Sequence, residues 1–207
     1  MLFRSVSTYE SDPNWYSAVN KIYINGTKLL FEHSGESTPF FIDICILHSV
    51  PDGKLQRFWQ RKQLELIEFV WNVQSGTVIP TSLISKMTIG QLAKINSSFW
   101  NRQFTRVATK YDKQKTEKVG SMFCVLVNNR YNGQNGYERD ITPRCWHEIA
   151  IDIPFEDSMF MTLAEPIADI DNRYPNWRKP FPEKQRMSKH DVKFYEISPE
   201  VRQRVGI

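Results

Sequence analysis

Cationic and aromatic side chains gather most densely at residues 128–144, where Arg130, Tyr131, Tyr137, Arg139 and Arg144 stand among two Asn-Gly pairs. An arginine meets a phosphate through a rigid fork of donors, and a tyrosine offers its ring face to a base. Gly133 and Gly136 let the backbone approach a phosphate closely and, with Asn132 and Asn135, mark sharp reversals. Tyr174, Trp177, Arg178 and Lys179 repeat the combination near the C-terminus. These nine residues predict a surface for single-stranded DNA or RNA, centred on an exposed loop. Phe58-Trp59 beside Arg61-Lys62 and Phe99-Trp100 beside Arg102 look similar, but lie on amphipathic helices with the ring inward and the cation solvated. Neither a zinc-finger nor a helix-turn-helix spacing accompanies the clusters.

Other chemistry is thinner. Cys145 and His147 would share a face of a strand, whereas Cys45 and His48 would diverge, so no metal site is expected and His147 reads as a structural histidine. Asp43, Glu148 and Asp152 could bring carboxylates to neighbouring strands, as Mg²⁺-dependent phosphodiester cleavage requires. No lysine follows two positions after Glu148 or Asp152, where a nuclease of that type would place one. A nucleophile elbow, a phosphate-binding glycine loop and a zinc-protease helix are all missing. No cofactor is expected, and an enzyme is the third-ranked reading.

The 207 residues suffice for one domain with appended arms, and 41% hydrophobic with 13% aromatic content argues for a folded core. With 27 basic against 23 acidic residues the net charge is +4, which permits a polyanionic partner without requiring one. Three cysteines cannot close a disulfide framework, no run is long enough to span a membrane, and no secretory signal opens the chain. The expectation is an intracellular protein in a reducing compartment with no membrane partner.

The elements that must position these residues follow from periodicity. Lys21–Phe31 reads as a hairpin turning at Asn25-Gly26, and residues 40–48 alternate as a third strand. Asp52 caps a helix near 53–74 whose apolar positions are Leu55, Phe58, Trp59, Leu66, Val70 and Val73. Thr88 and Gln91 form a capping box for a second helix near 89–108, with Phe99 in one stripe and Trp100, Phe104 and Val107 in the next. Residues 109–118 read as an exposed loop or a frayed helix end. Residues 122–127 and 146–153 read as the strands flanking the cationic loop, the second with Cys145, His147, Ile149, Ile151 and Ile153 on one face. Beyond residue 165, five prolines predict an irregular basic arm.

Together these predict an α+β fold. An antiparallel sheet from residues 21–48 and 122–153 carries two amphipathic helices on one face, with Leu66 and Phe99 in the core. Residues 1–20 form an N-terminal arm, 21–165 the domain and 166–207 the C-terminal arm. The functional expectation is a nucleic-acid-binding protein. The alternative is a structural or assembly protein whose arms join copies of the chain into a homo-oligomer. In its single basic domain with extended arms the chain resembles, in general terms, viral or phage accessory and assembly proteins.

Overall fold

A computed structural model describes residues 3–8, 19–31, 37–122, 125–126, 136–174, 176–180 and 192–206. In chain order the elements are β1 (Phe3–Ser7), β2 (Asn20–Phe31), β3 (Ser37–Ile44), β4 (Leu47–Val50), α1 (Lys54–Gln74), α2 (Leu83–Leu92) and α3 (Ser97–Ala108). A short 3-10 turn (Thr109–Tyr111) leads to β5 (Lys118–Ser121), α4 (Gly136–Arg139), β6 (Ile141–Pro143) and α5 (Cys145–Glu148). Then come β7 (Ala150–Phe155), β8 (Ser158–Leu163), α6 (Pro166–Arg173), β9 (Val192–Ile197) and α7 (Pro199–Val205). The fold is α+β, with antiparallel pairing throughout its described strands.

The sheet expected to be continuous is, among the described residues, three separate sheets. In the first, β3 runs along one edge of β2, while β1 and β9 lie along the other. Asn25-Gly26 is therefore not a hairpin turn. Gly26 does take the positive φ that the pair suggests, +80°, but inside an irregularity of register that lets β2 continue. Thr27 serves the irregularity with one hydroxyl, which donates to the Ile24 carbonyl at 2.6 Å and accepts from the Phe40 amide at 2.8 Å. The second sheet is β4-β5-β6 and the third is the hairpin β7-β8.

The main core lies between the helices and the second sheet. Val50 of β4, Leu64, Ile67, Val70 and Trp71 of α1, and Trp100, Phe104, Val107 and Ala108 of α3 are buried together with Met122, Val125 and Tyr137. The helices thus pack against β4–β5 and each other, not against β2–β3. On α1 the buried residues are Gln60, Leu64, Ile67, Val70 and Trp71, so of the expected stripe Val70 is in the core while Leu55, Phe58, Trp59 and Leu66 are corrected to exposed. Phe99, also expected inside, is 36% exposed. The helix near 89–108 is two helices, because Asn96 accepts from the Ser98 amide at 2.7 Å and restarts the chain as α3. Asp52 caps nothing at α1. Its carboxylate accepts from the Glu117 amide instead.

Residues 109–118 are not simply an exposed loop, since Tyr111 and Thr116 are buried and Asp112 accepts from the Ser49 amide at 2.7 Å. The chain ends are more regular than the prolines suggested. Pro166 and Pro199 each open a helix, where a missing N–H costs nothing. β9 joins the first sheet, and α7 follows as Ser198 donates its amide to the Gly26 carbonyl at 2.7 Å. No helix among the described residues is long and apolar enough to cross a membrane.

Candidate functional site

Arg130 and Tyr131 lie outside the described residues. The rest of the expected loop turns inward, which corrects the exposure predicted for it. Tyr137, on α4, is 1% exposed. Its hydroxyl donates to Gln60 Oε1 at 2.7 Å, and Gln60 Nε2 donates to the Val107 carbonyl at 3.1 Å. Burial, with a smaller push from Glu138, drives its phenol pKa far above the ordinary value. Arg139 grips Asp140 with two bonds, Nε to Oδ1 at 2.7 Å and Nη2 to Oδ2 at 2.9 Å. Ser121 and Arg173 also reach that buried carboxylate. Arg144 donates to the Thr116 carbonyl, to Thr116 Oγ1 and to Ser49 Oγ, tying together segments far apart in sequence. Each of these three side chains is committed to internal partners.

The second cluster does reach the surface. Tyr174 and Trp177 are exposed, as are Arg178 and Lys179. The Arg178 guanidinium sits 4.6 Å from the centre of the Trp177 ring and pairs with Asp171, to which Trp177 Nε1 donates at 2.7 Å. Bonds from Arg178 and then Trp177 hold the Asp171 carboxyl below its usual range. The rings are accessible, but a carboxylate offsets the arginine.

Cys145, His147 and Glu148 lie on the single turn of α5, so the strand alternation assigned to residues 145–149 is corrected. His147 Nε2 is 2.7 Å from Thr142 Oγ1, and burial lowers its pKa. Glu148 and Asp152 share no strand, and no group of three potential ligands among the described residues is placed to hold a metal ion.

Sequence reasoning passed over what the structure displays most openly, the β7–β8 hairpin. Its register pairs Ile153 with Phe160, Asp152 with Met161 and Pro154 with Met159. Directly opposed residues share a face. One face therefore carries Ile151, Ile153, Phe155 and Phe160, with the two rings edge-to-face at 5.7 Å, and the other carries Met159 and Met161. Ile149, Ile151, Phe155, Met159, Phe160 and Met161 are all exposed, Met161 by 75%. Taking 150–250 Å² for a large side chain, they present on the order of 600 Å². Divided between the two faces, about half of this lies on each, within the size of apolar patches that monomers carry and that are often functional. At the tip, Glu156 adopts φ +53° to make the two-residue turn with Asp157. The alternation of β7 was legible; a β-strand exposed on both faces has no distinctive pattern.

A second apolar surface is an open groove of about 410 Å³ between α1 and α3. Leu66, Ile67, Phe99 and Trp100 line its floor and sides, with Arg106 and Lys110 at one end. Arg102, Arg106 and Lys110 recur every four residues, all exposed, so they form one cationic stripe beside it. Among its lining residues there is no carboxylate, histidine or cysteine to act as acid, base or nucleophile. Comparison with family models, curated proteins and solved structures found no significant match to this chain, so the reading of its function rests on these surfaces.

Proposed function

We propose that the protein is an assembly protein that associates with copies of itself, and that the β7–β8 hairpin is the main contact. The observation that carries this is the hairpin's exposure on both faces. A two-stranded sheet is at best marginally stable alone in water. Large apolar side chains on both of its faces, and on each strand an edge that no described strand pairs, are liabilities unless a partner covers them. Of the terminal arms expected to join subunits, the strands β1 and β9 pair with β2 of the same chain. The joining role passes to the hairpin.

Sedimentation velocity of the full chain across a dilution series tests this. Wild type should shift from a larger species to monomer on dilution. Phe160→Glu with Met161→Glu should be monomeric throughout and keep the wild-type melting midpoint. A wild-type mass that stays monomeric at every concentration would refute the reading.

A second reading, single-stranded nucleic-acid binding, is supported by the accessible rings of Tyr174 and Trp177 beside Lys179. A stacked base should make Trp177→Ala weaken oligonucleotide binding by about 1–3 kcal/mol. Undetectable binding in low salt would remove it.

A further inference from the structure

The hairpin and the groove differ in charge as well as place. From Cys145 to Glu165 the chain has five acidic residues, Glu148, Asp152, Glu156, Asp157 and Glu165, and neither Lys nor Arg. That segment is −5 within a chain of net +4, so the remainder is +9. None of these five acids forms an ion pair among the described residues, and neither do Arg102, Arg106 or Lys110. One projecting surface is thus apolar and acidic at its tip, and one concave surface is apolar and basic at its rim.

Resting on the self-assembly reading above, we propose that the hairpin tip of one molecule seats in the α1–α3 groove of a second copy. Phe155 and Phe160 enter against Leu66, Phe99 and Trp100, while Glu156 and Asp157 meet Arg106 and Lys110. The hairpin does not fill its own groove, where Leu66 remains 39% exposed and Phe99 36%. The proposal accounts for two otherwise costly features at once, the exposed ring pair and the exposed stripe on α1, and it gives the solvated tip acids partners of opposite charge. Rings supply the anchors typical of a protein interface, and the opposite charges set its orientation. Because hairpin and groove are different surfaces, the contact is head-to-tail. It closes as a dimer if two molecules exchange hairpins reciprocally, and otherwise continues into rings or filaments.

Two charge-reversed full-length chains test the seat. One carries Glu156→Arg and Asp157→Arg, the other Arg106→Glu and Lys110→Glu. Each alone sets like charges against like and should self-associate at least about tenfold more weakly than wild type. Mixed, the basic hairpin of the first faces the acidic groove of the second, and a complex should form at near wild-type strength. Thermal melting checks that each variant folds. If the double groove variant does not fold, Lys110→Glu alone, at the rim, replaces it. A groove reversal that leaves self-association unchanged, while the hairpin reversal abolishes it, would overturn the seat and leave the assembly reading standing. Failure of the mixed pair to associate would also overturn it. Wild type that is monomeric at all concentrations would overturn both.

Discussion

Tyr137 links α4, α1 and α3 through one hydroxyl, because its acceptor Gln60 passes a second bond to the Val107 carbonyl. Replacing it with Phe leaves the ring in place but strands Gln60 Oε1, a buried acceptor, so Tyr137→Phe should cost about 1–3 kcal/mol in chemical denaturation. An unchanged midpoint would show that water reaches Gln60. His147 carries a pH dependence. Burial depresses its pKa below the ordinary 6.5, so under that pH the unfolded chain takes up a proton that the folded chain resists. Stability from this group is whole above about pH 6.5 and is lost as pH falls through the depressed value. His147→Gln should therefore flatten the fall in unfolding free energy below pH 6.5. A variant with the wild-type slope would assign that slope to other groups. At this scale the sequence identified residue types well and their surroundings badly. In sequence Tyr137, Arg139 and Arg144 look ligand-facing, because cations near aromatics look alike whether they meet phosphate or, as here, an internal carbonyl, hydroxyl or carboxylate.

At the scale of elements, α1 shows why a helix's buried face is hard to read. Apolar residues occupy two stripes, Leu55, Trp59 and Leu66 on one and Leu64, Ile67 and Trp71 on the other. Both carry large apolar side chains, so the sequence does not tell which is inward; the expectation takes the first. It is the exposed one. A helix with a second apolar stripe beside its buried one ordinarily has that stripe covered as well. The outer stripe therefore fits a groove waiting for a partner better than a packing fault. The two stripes separate cleanly in experiment. Leu64→Ala empties a fully buried position and should cost about 2–5 kcal/mol, whereas Leu66→Ala should cost well under half of that in the isolated monomer. Equal losses would put both stripes in the core. The strand signals were sounder only in part: β2 and β3 overlap the expected strands and β7 takes up residues 150–153 of the strand expected at 146–153, but residues 145–148 are helical and the described residues of 122–127 are not strand. What alternation could not supply was pairing, because Gly26 serves an irregular strand as readily as a hairpin turn, and nothing local tells β7 that its partner is β8.

For the whole molecule, α+β was legible because strand-like and helix-like periods both occur and no crossover pattern alternates them. The division into three sheets was not. It depends on which strand each edge meets, and β9 reaches β2 from the far end of the chain. The charge asymmetry was in the sequence too, as a run without Lys or Arg, but it acquired meaning only once that run proved to be an exposed hairpin. Segments drawn to cover one another in an assembly can each look unfinished in a single copy. The central claim, that the hairpin is an intersubunit contact, is tested most directly by amide hydrogen exchange of the full chain at high and low concentration. A lone hairpin opens easily and exchanges fast, and a covered one does not. The account predicts protection across Ala150–Leu163 at high concentration that disappears on dilution, while amides of α1 and α3 on the core side stay protected throughout. Rapid exchange of the hairpin at every concentration would contradict it.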